Sequence, residues 1–231
     1  MLSYILAALS GEYEVRDFII ELCALLFVVI CCLPVHECAH AWMANKLGDP
    51  TGKLSGRISL NPMAHLSLIG TLLMFTVGFG YAKPVPVNIR NFKKRKQYFA
   101  LTALAGPVSN LLMSLIFSFI STVFYILYIK GGNTVFSAGY QLFFQVAYIN
   151  VALAVFNLLP FPPLDGSRIL TMFLPDRIYN KLLYYERYLV YVLFGLIILS
   201  NRLNFSVVGT LSGYVFSFIV KIAQLPIQLF M

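Results

Sequence analysis

The sequence predicts an all-α polytopic membrane protein: a bundle of about five to six transmembrane helices with a small membrane-associated β-hairpin. Three observations carry that expectation. Of 231 residues, 59% are hydrophobic and 11% are charged, against roughly a quarter charged in an ordinary soluble domain. The charges cluster, so 97–129, 131–164, 188–201 and 203–220 hold no Asp, Glu, Lys or Arg. Apolar runs of about 18 residues or more are long enough to cross a bilayer as helices. Gly and Pro clusters then separate these runs, as turns between helices require.

In chain order, the apolar piece 2–9 is too short to span. No small-residue cleavage site follows it, so no cleaved signal peptide is expected. Residues 18–47 form the first long helix, stopped at Gly48 and Pro50. "TGKLSGRISLNP" at 51–62 alternates apolar and polar residues between glycines, which predicts the hairpin. The apolar piece 66–80 is marginal for a full crossing at about 15 residues. Pro84 and Pro86 force 80–92 into extended backbone. A second long helix runs over 98–129, "KGGN" turns the chain, and a third runs over 137–159 until "PFPP" at 160–163 breaks it. A polar, partly helical stretch covers 164–187, and helices at 188–201 and 205–229 complete the chain.

The net charge of +8 does not point to nucleic acid, because no soluble basic face is available to bind it. Six of the 17 basic residues fall between Lys83 and Lys96 with no acid among them, the pattern of a cytoplasmic loop. The four cysteines (Cys23, Cys31, Cys32 and Cys38) all lie on the first helix, where their spacing does not suit disulfides. Cys38 points about 200° away from His36 around that helix. The cysteines read as small packing residues.

The chemistry is concentrated in "HECAH", residues 36–40. His36 and His40 are separated by about 40° of helical rotation and one turn of rise, so both imidazoles can hold one metal ion. Glu37 lies about 100° round, beside that ion, where it can take a proton from a water. This is the physical content of an H-E-x-x-H zinc motif. The bland alternative is two hydrogen-bonded helix histidines beside a neutralised Glu. Ionisable groups inside a membrane helix are costly and usually mark function, so the metal reading is preferred. Catalytic zinc takes three protein ligands. His65 and Asp165 are the serious candidates for the third, with Asp49 in a Gly/Pro turn and Asp176 in a polar stretch behind them. Asp165 follows the proline break in "NLLPFPPLDG", and broken backbone near membrane depth is tolerated only when buried or lining a cavity.

HECAH on a membrane helix, followed by N-x-x-P-x-P-P-L-D-G, resembles the site-2 protease family of intramembrane zinc metalloproteases. "GRISLNP", "GYAKPVPVN" and "AGPVSN" resemble the compact branch that lacks a PDZ domain, so the likeness covers residues 20 to 170. The resemblance implies one zinc ion per chain, held by His36, His40 and Asp165, with Glu37 as catalytic acid/base. It also points to Asn157 as a polar group near substrate. Asn150 lies seven residues earlier on about the same helix face. Either asparagine could instead be a packing hydrogen-bonder. The expected organisation is one domain over 1–231, with a catalytic core at about 18–170 and C-terminal helices at about 185–231. Its partners are the lipid bilayer and transmembrane protein substrates.

If Asp165 joins the histidines at one ion, the chain crosses the membrane an even number of times between them. Helices 98–129 and 137–159 supply two crossings, so 66–80 is expected to be re-entrant. Thirteen basic residues then fall on the active-site side and three on the other; a crossing at 66–80 would make the division eleven to five. The positive-inside rule prefers the former. The expectation is a prokaryotic cell-membrane protein with its N-terminus outside and its active site toward the cytoplasm. The 51–62 hairpin is expected to pair with an extended substrate segment. Two rival readings are a catalytically inactive regulator or chaperone of membrane helices, and a metal transporter, for which this chain has few intramembrane ligands.

Overall fold

The computed structural model describes residues 14–67, 70, 72, 82–202 and 207–228. Among them, every regular element is helical. α1 (Val15–Phe27), a π-helical turn (Val28–Cys32) and α2 (Leu33–Lys46) run on without a break. The π turn lies just before Pro34. Proline has no N–H to donate, and its ring crowds the carbonyl four residues back. The backbone answers by widening, and the Leu33 N–H bonds to Val28 O five residues earlier. Two short helices follow, α3 (Thr51–Leu54) and α4 (Pro62–His65). Then come the long α5 (Arg95–Gly131) and α6 (Thr134–Asn157), the short α7 (Asp165–Leu170), and α8 (Asp176–Arg202) and α9 (Val207–Gln228).

Four stretches among the described residues are long and apolar enough to span: Val15–Lys46, Arg95–Gly131, Thr134–Asn157 and Val207–Pro226. The count of five to six expected from the sequence is not confirmed by these four, and most of 66–80 lies outside the described residues. The helix expected at 188–201 is instead the second half of α8. The first half of α8 carries Arg177, Lys181, Glu186 and Arg187, which leaves too short an uncharged run to cross.

α5 ends where Gly132 turns the chain at φ +63°, and its N–H bonds to Tyr128 O. The Asn133 side chain then caps α6 by accepting from the Val135 N–H at 2.9 Å. The two helices return antiparallel, with Phe117 stacked on Phe143 at 6.0 Å and Ser121 Oγ donating to Tyr140 O at 3.0 Å. Gly106, Asn110, Ser114, Ser118 and Ser121 are buried along α5, and Val146, Ala147, Asn150, Val151 and Ala154 along α6. Water gives no drive to join helices within lipid, so close approach of small residues has to hold them together. Ala24, Val28 and Cys32 pack with Val146, joining the first rod to α6. Ala147 and Val151 pack with Phe216 and Ile219, joining α6 to α9.

The hairpin expected at 51–62 is not formed. Residues 51–54 are a helical turn, and 55–61 hold turns and bends without strand pairing. Asp49 is the reason. Its buried carboxylate accepts from Thr51 N (3.1 Å), Thr51 Oγ1 (2.5 Å), Asn88 N (2.7 Å) and Asn91 Nδ2 (2.7 Å). These bonds wind the chain at Thr51 and tie it to the 88–91 loop. Burial pushes the Asp49 carboxyl up, but the bonds from Thr51, Asn91 and Asn88 outweigh it, and the net direction is down. Gly56, at φ +69°, then turns the chain away.

One β-type contact does occur. Leu66 and Ala82 form an isolated antiparallel bridge, and the Lys83 N–H donates to His65 O at 2.7 Å. Most of the 66–80 segment lies outside the described residues, but its flanks meet. A single crossing would separate them by ~30 Å.

Candidate metal centre

α2 presents His36 and His40 from successive turns, with Nε2 atoms 3.0 Å apart and rings nearly perpendicular at 86°. Both are buried. Asp165 reaches them from the first turn of α7, placing Oδ2 3.5 Å from His36 Nε2 and 3.2 Å from His40 Nε2. Thus α6 and the turns after it return the chain to the end of α2 that carries the histidines. Gly166 makes this approach possible: a Cβ there would collide with the carbonyl oxygens of Leu158 and Leu159 at the end of α6. α7 is also held against α5, with the Arg168 guanidinium 5.5 Å from the Phe99 ring centre and Lys96 Nζ donating to Leu174 O at 2.7 Å.

His40 Nδ1 donates to the backbone carbonyl of Thr102 on α5 at 2.7 Å. That bond places the ring proton on Nδ1, so Nε2 presents a lone pair inward, as histidine ligands generally do. Three electron-rich atoms therefore converge in a buried site, all within 4.8 Å of one another. In a tetrahedron with ligand bonds of about 2.0–2.1 Å, ligand atoms stand roughly 3.3–3.4 Å apart. The observed separations bracket that spacing, and a donor set of two imidazoles and a carboxylate suits zinc. Gly106 on α5 completes the cradle, because a Cβ there would overlap His40 Nε2 and come within 2.6 Å of His36 Cε1.

The other sequence candidates fall elsewhere. His65 is fully buried, but its Nε2 donates to Ser59 O at 2.8 Å at the foot of the 66–80 segment. Asp49 is occupied by its own loop network. Glu37 follows His36 on α2 and is partly buried. The Asn157 Nδ2 donates to Leu153 O on its own helix at 3.0 Å. Asn150 is fully buried and donates to Cys32 Sγ (3.4 Å) and Val146 O (2.8 Å), so it braces the π turn just ahead of the histidines. Two supports, Thr102 and Gly106, were not singled out from the sequence. Thr102 acts through its backbone, which leaves no side-chain signature, but Gly106 lies within "AGPVSN".

Fold and donor set together describe a helical chain with stretches long and apolar enough to cross a membrane and a buried triad that could hold a metal ion. Residues 120–200 match peptidase family M50. Three relatives are each named putative zinc metalloprotease. YwhC of Bacillus subtilis is 42% identical over 165 residues, 71% of this chain and 75% of the relative. Rip2 of Mycolicibacterium smegmatis is 28% identical over 58% of this chain and 51% of its own length. The third, from Methanocaldococcus jannaschii, is 30% identical over 58% of this chain and 62% of its own length. No solved structure matches. The chain belongs to peptidase family M50, the site-2 protease family, and is a zinc metalloprotease.

Proposed function

We propose that the chain cleaves peptide bonds within or near transmembrane segments of other membrane proteins, with His36, His40 and Asp165 as the zinc ligands and Glu37 as the acid/base. The observation that carries this reading is the convergence of the three ligand atoms where a spanning helix meets the break after another. A peptide bond in a lipid-buried helix has neither water nor a free carbonyl, so the site has to supply the one and expose the other. When bound, the ion supplies Lewis-acid polarisation of a water and of the scissile carbonyl. The Glu37 carboxylate takes the proton of the attacking water and passes it to the departing amine. Thr102 and Gly106 keep the His40 ring in place through these steps. Asn157, on the last turn of α6 before the break, is offered as the amide that holds the opened substrate backbone.

The active site faces the cytoplasm and the N-terminus lies outside in this reading. Two observations support it: the thirteen-to-three division of basic residues and the meeting of Leu66 with Ala82. The test is purified chain in lipid with a candidate membrane segment as substrate. Glu37→Gln should keep one zinc per chain and lose roughly 10²–10⁴-fold in turnover. A zinc-loaded Glu37→Gln protein that cleaves normally would refute the mechanism.

A further inference from the structure

A line of polar side chains leaves the metal centre along α5 and is not used by the mechanism. Gly106 touches the histidines; Asn110, Ser114 and Ser118 follow at intervals of four residues, the spacing of one helix ridge. All three are buried, with 1%, 0% and 3% of their surface exposed. Asn110 Oδ1, Ser114 Oγ and Ser118 Oγ meet no hydrogen-bond partner among the described residues. The helices packed against α5 carry orphaned polar atoms too. In the antiparallel register set by Ser121 with Tyr140 and Phe117 with Phe143, Asn150 on α6 lies at the level of Asn110. Its Oδ1 is also buried and unpartnered. On α9, Ser212 lies one turn before Phe216 and has a buried, unpartnered Oγ.

Tight packing alone accounts for small residues on this ridge, but not for five polar atoms left bare. A buried hydroxyl or amide without a partner costs about 1–3 kcal/mol, and alanine would pack at least as closely. The far end of the ridge settles what the atoms face. Ser118 lines a pocket of about 270 Å³ between α5, α6 and α9, together with Ser121, Thr122, Tyr125, Tyr140 and Gln224. Hydroxyls and one amide share that lining with the apolar Phe144 and Val220, Tyr125 is exposed at its rim, and the volume holds several waters at about 30 Å³ each. Ser118 is about 18 Å along α5 from Gly106, so the pocket lies toward the opposite membrane face from the metal centre.

We propose that this pocket is a hydrated vestibule and that a row of bound waters extends from it along Ser118 and Ser114 to the Asn110–Asn150 level, one helical turn short of Gly106. Each water would take hydrogen bonds from the orphaned oxygens, the usual role of buried water. If the site is the hydrolase proposed above, the row brings solvent to within one helical turn of it from the side of the membrane opposite the metal end.

The test is thiol labelling of Ser114→Cys, Ser118→Cys and the lipid-facing control Ile116→Cys by a charged methanethiosulfonate, read site by site by mass spectrometry in sealed membranes. It is run in the Glu37→Gln chain, so it does not depend on proteolysis. Only the thiolate reacts, and a dry apolar surrounding suppresses it, so residues 114 and 118 should label about tenfold or more faster than 116, with reagent on the Gly131 side of the membrane. Labelling at 114 as slow as at 116 overturns the water row, whether or not 118 reacts. Hydroxyl-radical footprinting of the unsubstituted chain is the independent measurement. Tyr140, in the vestibule, should oxidise several-fold faster than Tyr214, although Tyr214 is 74% exposed on the helix surface. Equal or reversed rates overturn the hydrated vestibule.

Discussion

At the scale of single residues, the centre depends on one position with no side chain to show. Gly106 has no room for a methyl group, since a Cβ there meets the Nε2 edge of His40. Gly106→Ala should displace that ring and lower metal affinity by roughly 10–100-fold, the range seen when a ligand's support is removed. Gly213→Ala, where a Cβ meets nothing within 4 Å, should leave metal content unchanged. Metal per chain after dialysis against a weak chelator separates the two. Asp49 holds its loop instead through four accepted bonds. Its carboxyl is lowered on folding, so its stabilisation is fully present above the unfolded value, about 3.9, and is lost as pH falls through the folded value. Asp49→Asn should therefore cost about 1–3 kcal/mol at neutral pH. In detergent unfolding curves, the gap to the parent chain should close only under acid. A gap that persists unchanged at pH 2 would show that the charge of Asp49 is not what stabilises the loop.

At the scale of elements, α7 is short and its placement is demanding. Its second residue is Gly166, pressed on the carbonyls of Leu158 and Leu159. Gly166→Ala should lift α7 off α6 and carry Asp165 away from His36 and His40. The expected result is loss of bound metal with helix content retained, measured by metal analysis beside circular dichroism. The same scale explains what could be read in advance. Predominantly apolar runs ended by Gly48, Gly132 and the prolines after Asn157 marked the first three candidate spans to within a few residues, because lipid leaves helices little alternative. Helix geometry alone put His36 and His40 of HECAH on one face, whereas the break after Asn157 left Asp165 beside His65 as a candidate partner and only the family resemblance chose it; the structure brings the Asp165 carboxylate to both rings. The hairpin at 51–62 was misread because alternation between glycines also describes a capped helical turn. What decides between them is Asp49 bonded to Asn88 and Asn91, some forty residues away in sequence. α8 was misread for a related reason: its charged first half and apolar second half look like two segments, although the backbone between them stays helical.

At the scale of the whole molecule, the metal centre is a statement about topology. Asp165 can join two histidines of the first span only if the intervening chain crosses an even number of times, and α5 and α6 are both long and apolar enough to supply two crossings. The proposed topology then requires the chain to stand on the same side at the end of α4 and the start of α5. The Leu66–Ala82 bridge and the Lys83–His65 bond meet that requirement at its flanks. Single cysteines at Leu66, Lys83 and Arg168 should therefore all be labelled by an impermeant reagent from one face. That face should be the cytoplasmic one, given thirteen basic residues against three. A cysteine at Gly132, in the α5–α6 turn, should be labelled only from the other face. Position 66 labelling from the opposite face to position 83 would contradict the pairing of the flanks. Positions 66, 83 and 168 labelling together from outside would keep the fold and reverse the orientation, placing the zinc site on the external side.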